Sequence, residues 1–433
     1  MITVRTIIKN GRVIDPANNI DGEYDIYIEK GVIEEVGKNL DYSGADINLI
    51  NARGKIVAPG LVDMHCHLRE PGQEYKEDIE TGTRSAAAGG FTSVACMPNT
   101  QPIADNVAVV EFIKSRAESV GYVNVFPIGA VTKGSLGAEL AEIGKLKFAG
   151  VVAISDDGKP IVNDSIMRNA LNYAKTFDTV VISHCEVPAL SDGGAMNEGY
   201  MSTYLGLRGI SSAAEDIMVA RDIILAKTTN SAIHIAHVST KGAVELIRQA
   251  KKEGVRVTCE TCPHYFTLTE DAVEGYNTNA KMNPPLRTKE DREAIIQALA
   301  DGTIDVIATD HAPHHIDEKN CEFDRAQNGI IGFETALSLG ITYLVKNNIL
   351  TMNELIEKMS YAPSKIIGIS KGALSEGKSA DIVIIDENKK RIIDVNKFHS
   401  KSKNSPYDGY ELSGAVLYTI VGGKIVVRDG ILL

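Results

Sequence analysis

The segment "LVDMHCHLREPG", residues 61–72, sets His65 and His67 one residue apart behind an apolar run, with Arg69 two positions further on. Strand side chains alternate between faces, so the two imidazoles point the same way and Cys66 the other. That spacing lets both rings reach one metal ion, whereas on a helix they would splay apart. Further apolar runs end in similar chemistry: Asn99 in "MPNT", Asp156 and Asp157 in "SDDG", His184 in "ISHCE", His237 in "IAHVS" and Asp310 in "ATDHAPHH". Imidazole and carboxylate ligands together suit Zn²⁺. His65, His67 and Asp310 could hold one ion and His184 and His237 a second, with Asp157 spanning both. A hydroxide bridging two zinc ions is a nucleophile at neutral pH, because the metals lower the pKa of bound water. Two dications, two carboxylates and one hydroxide leave net positive charge, which favours an anionic ligand. Arg69 adds a rigid fork suited to a carboxylate. Asp310, beside the hydroxide, is placed to take its proton and hand it to a leaving nitrogen. The pattern predicts hydrolysis of a carbonyl compound carrying an acid group; spacing alone does not choose between amide, ester and amine.

These residues need a scaffold that gathers strand ends. In the middle of the chain, β-rich apolar runs recur near residues 61, 91, 123, 151, 179, 232, 255 and 304, alternating with helical stretches such as "DSIMRNALNYAKTF" and "KGAVELIRQAKKEG". Continuous apolar strands alternating with helices imply a parallel sheet covered on both faces. Eight such units close most simply into a (β/α)₈ barrel, whose active site lies at the C-terminal strand ends. An open doubly wound sheet is the alternative, weakened because no glycine-rich phosphate loop follows the first strand. By alternation His234, three residues before His237, should face outward against a helix. His264 and His315 read as structural or supporting residues, and Cys259 and Cys262 as strand-end thiols without a metal. The two chain ends differ from the middle: "RTIIKNGRVID", "YDIYIEKGVIEEVG" and "GAVLYTIVGGKIVVRDG" carry hairpin signals at Asn-Gly, Lys-Gly and Gly-Gly. They are expected to pair into one small β-sandwich domain. The predicted organisation is 1–55 and 369–433 for that domain and 56–368 for the barrel.

With 433 residues, 44% hydrophobic and 24% charged, the composition is that of an ordinary soluble globular protein. A net charge of −12 argues against nucleic acid or an anionic membrane as partner. No signal peptide and no ~20-residue apolar run is visible. The six cysteines are scattered without a disulfide framework, which points to a cytoplasmic location.

Taken together, "DMHCHLREPG", "ACMPNT", "ISDDGKPI", "ISHCE", "IHIAHVST", "KMNPPLR", "ATDHAPHH", "GIIGFETAL" and the late "APSK…KGALSEGKSADIVIID" resemble the amidohydrolase superfamily, and closely its dihydroorotases of the longer bacterial type. The resemblance spans nearly the whole chain. It implies reversible, zinc-dependent cyclisation of N-carbamoyl-L-aspartate to L-dihydroorotate in pyrimidine synthesis. The implied ligands are His65, His67, Asp157, His184, His237 and Asp310, with one or two zinc ions, two being expected. The family pattern favours Asp157 over Asp156 as the bridge. His67, Arg69, Asn99, Asn283, His314, Asn328 and Gly329 would hold substrate, with Arg69 on the carboxylate that stays outside the ring and Asp310 as general acid and base. Rival readings are dihydropyrimidinase (hydantoinase) and allantoinase. These resemble one another in bridging their metals with a carboxylated lysine, for which Lys147 is the one candidate here, and they lack an arginine at the position of Arg69. A reading of another class is a non-catalytic, dihydroorotase-like partner of aspartate carbamoyltransferase; such chains lose metal ligands, and all six are present here. Tyr265 stands where many relatives carry a second histidine. A homodimer is the expected assembly. "GKPIVNDS" and "HHIDEKNCEFDRAQNG" are the candidates for a loop that closes over substrate.

Overall fold

Eight short strands form the centre of the computed structural model, which describes residues 5–42, 44 and 47–433. They are β1 (Leu61–Cys66), β2 (Phe91–Cys96), β3 (Asn124–Pro127), β4 (Ala153–Ser155), β5 (Val180–Ser183), β6 (Ile233–Ile235), β7 (Val257–Thr261) and β8 (Val306–Ile307). All neighbours are parallel, in two ladders, β1–β2–β3 and β4 through β8. Single parallel bridges close the ring, Gly129 with Ile154 between β3 and β4, and Cys66 with His311 between β1 and the end of β8. A (β/α)₈ barrel results, as the alternation of apolar strands and helices requires.

Alternation divides the strand residues into two cores. Leu61, Cys66, Phe91, Val94, Ile154, Val181, Ile233, Ile235 and Ile307 pack outward against the helices. Met64, Ala95, Ala153, Ile182, Ala236, Val306 and Ala308 fill the barrel. The covering helices follow local rules. In Asp164–Thr176 the Asn163 side chain caps the amides of Ser165 and Ile166, and Met167, Ala170, Leu171 and Ala174 form the buried stripe. Lys241–Lys252 starts on the Thr240 cap, buries Ala243, Val244, Ile247 and Ala250, and ends on Lys251 and Lys252, which complement the helix dipole.

His234 departs from expectation. It lies in register with Ile182 and Thr258 and therefore faces the barrel interior, not a helix. The assumed alternation from His237 fails because His237 itself has φ 35°, a left-handed backbone that turns its ring back toward the same interior.

The chain ends build one nine-stranded sheet. The strand Ile56–Pro59 joins its halves, pairing in parallel with Arg12 and Val13 and antiparallel with Ile382–Ile385. Ile8, Val13, Ile26, Ile28, Val57, Ile382 and Ile384 form its core. Lys30-Gly31 and Gly422-Gly423 are two-residue hairpin loops with positive φ at both positions, as their composition predicts. Asn10-Gly11 differs: it is a bulge inside the continuous strand Arg5–Asp15, where the register shifts between Ile8 and Gly11. No helix among the described residues is long and apolar enough to cross a membrane.

Candidate active site

The C-terminal strand ends converge on a cavity of about 250 Å³ lined by His67, Arg69, Asn99, Asp157, Gly158, His184, His237, Asn283, Asp310, Ala312, His314, Gln327, Asn328 and Gly329. Every residue expected from the sequence to act on metal or substrate lines it except His65, which lies fully buried behind it. Both candidate closing segments border it, one through Gly158 and the other through Gln327, Asn328 and Gly329. Two cavities of about 490 Å³ lie elsewhere, around Tyr122, and gather no histidine.

The titratable groups interlock. Asp157 Oδ1 stands 3.4 Å from His65 Nε2 and 3.6 Å from both His184 Nδ1 and His237 Nε2, while its Oδ2 stands 3.6 Å from His67 Nε2. Asp310 Oδ1 is 3.1 Å from His67 Nε2 and 3.6 Å from His65 Nε2. Asp157 thus faces the rings of His65, His184 and His237 with Oδ1 and that of His67 with Oδ2. Asp156 is occupied otherwise, accepting from the amides of Val131 and Thr132 and from the Thr132 hydroxyl, so it holds β3 and β4 together.

Burial raises the Asp157 carboxyl, but the charge of His65 and the close approach of the His184, His237 and His65 rings outweigh it and hold it well below the ordinary range. For His184, burial lowers the ring pKa, yet Asp157 and Glu186 lift it to about 10. The pocket thus favours positive charge. His65 Nε2 and Asp157 Oδ1 are buried without any hydrogen-bond partner, although each belongs to a residue otherwise rigidly held. Such orphaned atoms, surrounding one point with imidazole and carboxylate donors, fit a divalent cation.

Neighbours fix the ring tautomers. His65 Nδ1 bonds Glu260, which also accepts from His234 Nε2 at 3.3 Å, and His234 Nδ1 meets Thr258 Oγ1 at 2.8 Å. His67 Nδ1 lies 3.0 Å from Asn99 Oδ1. With a cation bound, the outer nitrogen of His65 and of His67 would carry the proton and leave the inner nitrogen to the ion. Glu260 was not singled out from the sequence. The signal was available: in β7 it shares alternation parity with the inward Thr258, an acidic residue at a barrel strand end.

Arg69 is buried, with Nε donating to Pro313 carbonyl at 3.1 Å and Nη2 3.3 Å from His314 Nε2. Burial, with the charge of Arg69 next, pushes the His314 imidazole far down, so it is neutral and donates from Nε2 to Asn328 carbonyl at 2.8 Å. Arg69 (φ 63°), His237 (φ 35°) and Asp310 (φ 45°) hold left-handed backbones, strain of a kind that gathers at functional sites. Gly329 has φ 127°, and a Cβ there would stand 2.6 Å from Ala312 Cβ. Its N–H already donates to Lys281 carbonyl at 2.9 Å, so its contribution to the cavity is room.

The remaining candidates fall outside the centre. Lys147 sits on helix Ile143–Ala149 ahead of β4, at the opposite end of the barrel, and does not line the cavity. Tyr265 is buried and donates to Pro284 carbonyl at 2.6 Å. His315 caps the short helix Ile316–Lys319. Cys259 Sγ donates to Thr303 carbonyl at 3.4 Å. Cys262 and His264 are buried beside Asp310, their ligand atoms within 4.8 Å of one another.

A family model described as "Dihydro-orotase-like" matches residues 54–243. The dihydroorotase of Acetivibrio thermocellus is 63% identical over 427 residues, covering 99% of this chain and 100% of that protein. The dihydroorotase of Ruminiclostridium cellulolyticum is 58% identical over 430 residues, covering 99% and 100%. Among solved structures, the L-hydantoinase (dihydropyrimidinase) of Arthrobacter aurescens superposes with TM-score 0.90 at 29% identity, over 99% of this chain and 97% of that one. The D-hydantoinase of Thermus sp. gives 0.86 at 28%, over 99% and 96%. The hydantoinases therefore share the barrel and the β-domain, while sequence identity roughly twice as high separates this chain from them. The chain belongs to the dihydroorotase family.

Proposed function

We propose that this chain is an active dihydroorotase, interconverting N-carbamoyl-L-aspartate and L-dihydroorotate for pyrimidine synthesis. The observation that carries this reading is the single cavity in which four histidines and two aspartates converge within reach of one buried arginine. His65, His67, Asp157, His184, His237 and Asp310 would hold zinc, two ions per subunit, with Asp157 facing both positions. When bound, the zinc supplies Lewis acidity that polarises the carbonyl and makes water nucleophilic at neutral pH.

The protein's own side chains do the rest. Arg69 pairs with the exocyclic carboxylate through its planar fork. Asn99, whose Oδ1 is taken by His67, offers its amide N–H groups to the same anion. His314 stands beside Arg69, Asn283 also lines the cavity, and Asn328 and Gly329 shape it. In ring opening, water adds to the ring carbonyl carbon, the C–N bond breaks, and Asp310 carries the water's proton to the departing nitrogen; ring closure runs the same transfers in reverse. Burial raises the Asp310 carboxyl, but the hydrogen bond from His67 and the charge of His65 outweigh it, so it is ionised and ready to accept a proton. The barrel and β-domain boundaries remain proposed at 56–368, and at 1–55 with 369–433. A homodimer in a reducing cytoplasm is the proposed setting, supported by six free cysteines, five of them buried.

Purified, zinc-loaded protein is expected to open L-dihydroorotate and to leave dihydrouracil, the same ring without the carboxylate, nearly untouched. Preference for dihydrouracil would move the chain to the hydantoinase activity, and turnover of neither would favour a non-catalytic role. The carboxylate behind His65 gives a separate check. Glu260→Gln removes the charge that orients His65 and is expected to weaken zinc binding about 10- to 100-fold, read by competition with a chelator.

A further inference from the structure

We infer that Glu186 is a positioning residue that sets, at once, the metal-facing ring of His184 and the substrate-facing amide of Asn283. Glu186 follows His184 by two residues, and its Oε2 stands 3.3 Å from His184 Nε2 and 2.6 Å from Asn283 Nδ2. Its other oxygen accepts from the Ser191 hydroxyl, on the short helix Pro188–Ser191, which locks the carboxylate in place.

Both contacts end on the same acceptor, Glu186 Oε2, and this fixes two ambiguous groups. As a metal ligand His184 would be neutral, with its one N–H on Nε2 toward Glu186. Its Nδ1 lone pair then faces inward, 2.8 Å from His237 Nε2 and 3.6 Å from Asp157 Oδ1. The Asn283 amide is fixed in the same way: its NH₂ faces Glu186, and its Oδ1 is left buried without any partner on a residue that lines the cavity. The site therefore offers an acceptor at that wall and reads an N–H of the ring or ureido group. One carboxylate ties the geometry of the metal ligand to the recognition of nitrogen. This inference rests on the dihydroorotase reading for its substrate half and is independent of it for its metal half.

The test is a double-mutant cycle on the full chain with two readouts. Glu186→Gln keeps the shape but adds an NH₂ donor, so neither neighbour is held in one orientation. Zinc affinity, measured by chelator competition without substrate, is expected to fall about 10- to 100-fold. With saturating zinc, KM for L-dihydroorotate is expected to rise about tenfold, the size of one lost hydrogen bond. In the Asn283→Ala background the same substitution is expected to leave KM unmoved while still weakening zinc. Ser191→Ala, which frees only the second oxygen, is expected to shift both quantities the same way by less, and serves if Glu186→Gln does not fold. Unchanged zinc affinity in the variants, or KM effects that add in the double variant, would overturn the coupling. Absence of turnover in the wild-type protein would overturn the functional reading instead, and the zinc measurement would still decide the His184 half.

Discussion

Asp310→Asn is expected to lower kcat for L-dihydroorotate by about 10²–10⁴-fold, the range that a positioned proton carrier contributes. The amide is nearly isosteric and sits in the same left-handed backbone, φ 45°, which Asn tolerates as well as Asp does. The fold and the melting temperature are therefore expected to persist. What disappears is a group able to hold the proton between attack on the carbonyl and departure of the nitrogen. Because Asp310 Oδ1 also lies 3.1 Å from His67 Nε2, zinc content is measured on the same sample. A variant that retains zinc and loses turnover identifies the proton transfer. Wild-type turnover in that variant would remove Asp310 from the role.

Arg69 produces the second large effect, and on selectivity more than on rate. Its guanidinium is buried and anchored through Nε on Pro313 carbonyl, which leaves Nη1 and Nη2 for a ligand. Loss of one partner from a buried charged pair costs about 2–5 kcal/mol. Arg69→Gln is thus expected to lower kcat/KM for L-dihydroorotate by about 10²–10³-fold. Preference for dihydroorotate over dihydrouracil should fall by a similar factor, because the smaller ring has no carboxylate to lose. Arg69→Lys is expected to restore only part of it, since a point charge lacks the fork geometry. Parallel losses on both rings would mean that Arg69 supports the fold of the wall and not the choice of substrate.

Much of this site could be read before any coordinates. His65 and His67 share a face because strand alternation is local, and the bulge in β1, where the register with β2 slips between Asp63 and Cys66, does not disturb it. The choice between Asp156 and Asp157 needed the fold, or a family pattern, since both close the same strand; hydrogen bonds to Val131 and Thr132 take Asp156 out of the cavity. His234 was misread because alternation was counted through a residue with positive φ. Asn10-Gly11 departs from expectation because an Asn at positive φ, here 62°, serves a bulge as well as a hairpin; the strand continues past Gly11, where a Cβ would stand 2.5 Å from Val57 Cγ2.

The sequence by itself determined the alternation of eight strands with helices, the ligand types, the arginine and the hairpin turns, because each depends on residues a few positions apart. Only the tertiary structure decided which groups hold those ligands in place. Glu260 reaches His65 across 195 positions of the chain, and Asn283 reaches Glu186 across 97. Such contacts exist because the barrel closes, and no local period in the sequence encodes the partner that closure brings.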